Sequence, residues 1–189
     1  FESAGDGPRR ASEEEADSPP DALAPRATSV LDLGFWSYTT VIADVTTPFE
    51  PYISDFESQA LEWVPIEKVD ELTLHPGFAD SWPALRDVVP RHPLLIVDAA
   101  NVVGARPDGW WKDRPAAAGR LREGLSSLRA VGVDATALGL GGTRWFADMT
   151  MVLEGEARSL EADDGPIAVV EAARDGDGEL VAEVSRQIA

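Results

Sequence analysis

Carboxylates in two parts of the chain have the residue types and spacing for metal-assisted hydrolysis. In the segment Arg9 to Ala16, the adjacent Glu13 and Glu14 fall on one turn of a helix-compatible stretch and can present two carboxylates to one hard cation. A solvated acidic helix face is written with the same residues. The second set lies at the ends of apolar runs. Asp98 directly follows Leu94 to Val97, Glu154 follows Thr150 to Leu153, and Asp177 and Glu179 come after Ile167 to Val170. In an open parallel sheet, ligands gather beyond the carboxyl ends of the strands. Acids from three such ends can converge on one or two divalent ions and hydrolyse a phosphodiester with metal-bound water. Helix caps and turns use the same acids for structure alone. Asn101 stands three residues after Asp98, where a tight turn folds its amide back toward the carboxylate. Trp110 and Trp111 stand beside Lys112 and Arg114, a grouping that can stack a base and hold a phosphate. A tryptophan pair packed as a lid on its own domain is the structural alternative.

Composition narrows the chemistry. The 189 residues contain no cysteine and two histidines, which excludes disulfide scaffolds, thiolate zinc sites and cysteine nucleophiles. Any metal would be held by oxygen, which points to Mg²⁺ or Mn²⁺. The formal charge of −18 argues against non-specific wrapping of nucleic acid or docking on an anionic membrane. No apolar stretch approaches the roughly 20 residues of a spanning helix, and no leader-like segment opens the chain at Phe1, so a soluble, cytoplasmic protein is expected. Charge is uneven: residues 1–90 hold 18 acids and 5 bases, and residues 91–189 hold 16 acids and 11 bases.

The elements that must position these residues divide at Val88 to Pro93, where two prolines and two basic residues interrupt the periodic segments. Before that break, Ala27 to Phe35 and Trp36 to Val45 read as adjacent antiparallel strands, and Ala60 to Val64 as another short strand. Pro65 opens a short helix through Leu72, which His75-Pro76-Gly77 breaks. After the break, Leu94 to Val97 reads as a strand buried on both faces, and Pro115 to Ala130 as a helix with Ala118, Leu121, Leu125 and Leu128 on its apolar face. Gly139 to Thr143 is a turn. Thr150 to Leu153 and Ile167 to Val170 are further buried strands, and Glu179 to Gln187 is a closing helix. The order is that of an α/β domain.

The run Ala27 to Val45, followed by Glu57-Ser58, Leu61-Glu62-Trp63-Val64-Pro65 and Leu74-His75-Pro76-Gly77-Phe78, resembles the later part of a Nudix hydrolase domain. On that family's helix pattern Arg9 matches the arginine, and Glu13 and Glu14 match the paired glutamates. Arg10 stands where the family has another metal-binding glutamate, and Ala16 where it has a glycine. The resemblance covers residues 1–88 as a partial domain. It implies Mg²⁺ or Mn²⁺ at Glu13 and Glu14, with hydrolysis of a nucleoside diphosphate joined to another group. A guanidinium in place of a carboxylate removes a ligand and adds positive charge, which lowers metal affinity. Glu57 is a candidate base or water-orienting residue, although a glutamate in that position is more often simply a surface loop residue.

The segment Leu95-Ile-Val-Asp98-Ala-Ala-Asn101-Val-Val-Gly, with Asp-Gly-Trp-Trp-Lys-Asp-Arg at 108–114, resembles the PIN-like or NYN class of metal-dependent nuclease domains. The resemblance spans residues 94–189 and implies a metal site built from Asp98, Asn101, Glu154 and Asp177. The expected fold is therefore mixed α/β: a partial Nudix-like sandwich over 1–88, a linker at 89–93, and a small PIN-like domain with a mainly parallel sheet over 94–189. The functional expectation is a Nudix-type hydrolase acting on a small nucleotide substrate. The alternatives are a ribonuclease with RNA as partner of the second domain, and a non-catalytic nucleotide-sensing or assembly protein. Oligomeric state is not legible in the sequence.

Overall fold

The computed structural model describes residues 19, 22–53, 60–105, 107, 109–160, 165–172 and 176–187. Glu13, Glu14 and Glu57 lie outside them. The chain forms two compact units, Phe1–Arg91 with Asp134–Trp145, and His92–Val133 with Phe146–Ala189. The fold is mixed α/β, with one sheet containing antiparallel strands and one parallel sheet.

In the first unit, β1 (Leu23–Asp32) and β2 (Ser37–Val45) pair antiparallel, with Thr28 opposite Val41. The reversal between them closes on Gly34, whose φ of 81° is in the left-handed region that glycine tolerates. Its N–H donates to Asp32 Oδ1 at 2.7 Å. A register shift between Pro25 and Ala27 accommodates the proline, which has no N–H for the ladder. The segment Ala60 to Val64 forms no strand. Its Trp63 is exposed and packs edge-to-face on Phe49, so the apolar residues there satisfy a local aromatic contact in place of a sheet. The expected helix after Pro65 is a 3₁₀ turn, Ile66–Glu71.

His75-Pro76-Gly77 does not end an element but begins one. Helix α1 (Pro76–Val88) starts with proline in its first turn, and the His75 ring Nδ1 accepts the Gly77 N–H at 3.2 Å. Trp82, Leu85 and Val88 repeat at helical spacing and are buried with Ala27, Ile42, Ala135 and Trp145. The last two arrive from a distant segment. Two-residue strands β4 (Val133–Asp134) and β5 (Arg144–Trp145) flank the short helix α4 (Ala135–Leu138), and the sheet order is β2-β1-β5-β4. β5 pairs antiparallel with β1, and Thr143 donates its N–H to the Thr28 carbonyl at 2.7 Å. The Gly139 to Thr143 turn thus adds a strand edge to β1. Gly142 is required there: its φ is 84°, and a Cβ would lie 3.1 Å from the Thr28 carbonyl oxygen.

In the second unit, β3 (Leu94–Asp98), β6 (Asp148–Leu153) and β7 (Ala168–Glu171) form a parallel sheet in the order β3-β6-β7. Asp98 is in register with Val152, and Leu153 with Glu171. Helix α2 (Ala99–Gly104) follows β3 at once, and α3 (Arg114–Val131) carries the long apolar face. Asp113 caps α3 by accepting the Ala116 N–H at 3.0 Å, and Gly132 ends it at φ 83°. Ala118 and Leu125 pack with Met149, Met151, Leu153 and Ile167, and Leu121 lies partly buried against them. Leu128 stays largely exposed, so the apolar stripe is narrower than its spacing suggests. Helix α5 (Gly176–Gln187) begins three residues earlier than its apolar pattern indicates. Among the described residues no helix is long and apolar enough to cross a membrane.

Candidate functional site

The carboxyl edge of the parallel sheet brings together most of the second acid set. Asp98 ends β3, and its side chain is held twice by one residue: Oδ1 accepts the Asn101 N–H at 3.0 Å, and Oδ2 accepts the Asn101 side-chain amide at 2.7 Å. The carboxylate is the N-cap of α2, and the Asn101 amide orients it. Glu154 follows β6 on the neighbouring strand, and its Oε2 accepts the Gly176 N–H at 2.8 Å. Asp177 is the next residue, in the first turn of α5. The sheet therefore places Asp98, Glu154 and the start of α5 along one edge. Among the described residues, no three acid or imidazole side chains gather closely enough to hold a metal ion.

A cavity of about 140 Å³ opens at this edge. Ala99, Ala100 and Val103 of α2, Ala118 of α3 and Ala157 give it small apolar walls, and Trp110, Arg114 and Glu154 supply its aromatic and charged groups. Trp110 sits in a 3₁₀ turn, Trp110–Lys112, entered through Gly109 at φ 86°. Its ring carries the Arg114 guanidinium 5.4 Å from the centroid, a cation–π contact. Trp111 meets Trp110 edge-to-face with centroids 6.0 Å apart and is itself more than half exposed. Lys112 is exposed and is not among the cavity's lining residues. Arg114 also faces Glu156, with Nε 3.6 Å from Oε2.

Two further residues, Gly176 and Arg158, shape this edge. Gly176 is buried against Glu154, and a Cβ there would fall 2.9 Å from Oε2. Arg158 clamps two loop ends, donating from Nε to the Gly155 carbonyl at 3.1 Å and from Nη1 to that of Ala172 at 3.3 Å. The glycine-rich entry Gly176-Asp177-Gly178 is the one hint the sequence offers for the first of these. A larger hollow, about 610 Å³, opens at the opposite, amino-terminal edge of the same sheet, near His92, Leu94, Asp148 and Gln187. Its one lining carboxylate, Asp148, is engaged by Arg129 at 3.2 Å.

Over 95 residues the chain is 40% identical to "Putative 8-oxo-dGTP diphosphatase 3" of Mycobacterium tuberculosis, in strain CDC 1551 / Oshkosh and equally in strain H37Rv. The match takes in 47% of this chain and 43% of each relative, so the chain spans under half the length of the curated relatives it matches. No protein-family model matches the chain. No solved structure matches it either.

Proposed function

We propose that the protein is a Nudix-type hydrolase that cleaves the diphosphate linkage of a nucleotide, with 8-oxo-dGTP representing its substrate class. The observation that carries this reading is the 40% identity over 95 residues with the mycobacterial diphosphatases. In this reading residues 1–88 hold the hydrolytic domain and the protein works in the cytoplasm. Glu13 and Glu14 are hard oxygen donors of the kind Mg²⁺ or Mn²⁺ prefers. A cation held there would neutralise diphosphate charge, and Glu57 would orient or deprotonate the attacking water. Arg10 beside the pair lowers its metal affinity, so saturation requires more metal than an all-carboxylate site would. The test is diphosphate release from 8-oxo-dGTP and from dGTP, with Mg²⁺, with Mn²⁺ and with chelator. Metal-dependent release supports the reading. Absence of release from both nucleotides with either metal overturns it.

A second reading, a PIN-like ribonuclease over residues 94–189, draws support from the parallel sheet with Asp98, Asn101 and Glu154 along its carboxyl edge. Both Asp98 oxygens already accept hydrogen bonds from Asn101, and the described residues provide no three-acid group beside them. Mn²⁺-dependent cleavage of single-stranded RNA that is lost in Asp98→Asn would favour this reading for the second unit.

A further inference from the structure

Helix α1 is fastened at its start by an imidazole. His75 is its N-cap, and the ring Nδ1 accepts the Gly77 N–H at 3.2 Å. The remaining positions of the first turn are settled without the ring: Pro76 has no N–H, and Phe78 and Ala79 both donate to the His75 carbonyl at 2.9 Å. The ring also packs on the backbone, with Nδ1 and Cε1 each 3.6 Å from where a side chain on Gly77 would begin. The helix holds little in reserve to replace this bond. Pro83 stands inside it and has no N–H for the Ala79 carbonyl, so the ladder is interrupted within the helix. The turns between His75 and Pro83 carry Trp82, which is buried in the core of the first unit.

An imidazole accepts a hydrogen bond only while neutral; once protonated, both of its nitrogens are donors. We propose that His75 is a pH-sensitive fastening of α1. The neutral ring caps the helix, and a proton taken up on Nδ1 turns the acceptor into a donor facing the Gly77 N–H, which releases the first turns. The added charge also sits at the positive end of the helix dipole. Histidine is the side chain whose ordinary titration falls between about pH 5 and 8, and this chain has two, His75 and His92, with no cysteine. The elements packed into the same core carry Glu67, Lys68, Asp70 and Glu71 on the 3₁₀ turn, Asp80, Arg86 and Asp87 on α1, Arg26, Asp32 and Asp44 on β1 and β2, and Asp134 and Arg144 beside α4. Among the described residues none of them forms an ion pair with His75, whereas Asp70 pairs with Arg86 and Asp44 with Arg26. No carboxylate of this set therefore offsets the charge of a protonated ring. The contribution of the cap is present above the imidazole range and is lost as pH falls through it.

Amide hydrogen exchange of the full chain, followed by NMR and corrected for the intrinsic rate at each pH, tests it. The amides of Asp80, Ser81 and Trp82 report on α1, and those of β6 in the second unit serve as reference. Protection in α1 should fall about fivefold between about pH 8 and about pH 5.5, the scale of losing an N-cap, while β6 keeps its protection. His75→Asn and His75→Asp each supply a strong cap that does not titrate in this range, so both should fold and both should remove the fall. His92→Asn should behave as the wild type. No fall in the wild type, an equal fall in the two His75 variants, a fall abolished by His92→Asn, or an equal fall in β6 would each overturn the proposal.

Discussion

The Glu154 carboxylate at the end of β6 accepts the backbone N–H of Gly176 at 2.8 Å across 22 positions of sequence, tying the sheet edge to the first residue of α5. A side chain on Gly176 would lie 2.9 Å from the accepting oxygen, so Gly176→Ala must displace the carboxylate. Losing the hydrogen bond to a buried N–H costs about 1–3 kcal/mol, partly offset by up to ~1 kcal/mol of helix propensity gained over glycine. Denaturant unfolding of Gly176→Ala should show a net loss of about 1 kcal/mol. Glu154→Gln keeps a carbonyl oxygen that can accept the same N–H and should lose less.

Asp98 is a cap as well as a candidate site residue. Asp98→Ala removes the acceptor of the Asn101 N–H and should cost about 1 kcal/mol of stability, the usual value of an N-cap. Asn101→Ala leaves that backbone bond in place and should cost less. Urea melts followed by circular dichroism would rank the two. Equal losses would show that the Asn101 amide matters as much as the cap.

Trp145 is fully buried, and its Nε1 donates to the Gly141 carbonyl at 2.8 Å. Trp145→Ala should destabilise the first unit by about 3–5 kcal/mol. Trp145→Phe retains most of the ring volume but leaves the Gly141 carbonyl without that donor, for a loss of about 1–3 kcal/mol. Hydrogen exchange on β1 would register both, since Ala27 and Thr28 pair with β5.

Glu183 on α5 is held below its ordinary pKa of 4.5, first by the Gln187 amide and then by Arg186, whose Nε lies 2.9 Å from the carboxylate. A carboxyl with a folded pKa below its unfolded value stabilises the fold above the ordinary carboxylate range, and that contribution is lost as pH falls through the folded value. Acid should therefore weaken α5, and Glu183→Gln should flatten the low-pH limb of the melting-temperature profile. An unchanged limb in Glu183→Gln would remove Glu183 from the acid response.

Much of this arrangement is legible in the sequence, and the illegible parts share a cause. β6 announces itself as an apolar run closed by an acid, because a strand buried from Met149 to Leu153 has no polar alternation, whereas β3 has the same pattern while only half-buried and β7, also expected to be buried, is mostly exposed. The Asp98–Asn101 pair is legible because a cap is a local interaction. α1 is obscured because His75-Pro76-Gly77 reads as a breaker, whereas a proline in the first turn and a capping side chain are equally a start signal. Ala60 to Val64 has strand composition but no partner strand, and composition does not encode pairing. β5 is two residues long and is fixed by Thr28, more than a hundred positions away, so no local window reports it. The contact of Gly176 with Glu154 has the same origin. Glu13, Glu14 and Glu57 rest on the family resemblance and lie outside the described residues.

The proposed Nudix-type hydrolysis can be read from the initial rate of diphosphate release from 8-oxo-dGTP in the presence of Mg²⁺, for the wild-type protein and for Glu14→Gln. Metal-dependent release by the wild type is predicted, with a fall of about 10²-fold in the variant, the scale of losing a group that acts at the reacting centre. Release at equal rates by both proteins, or no release by the wild type with Mg²⁺ or Mn²⁺, would contradict it.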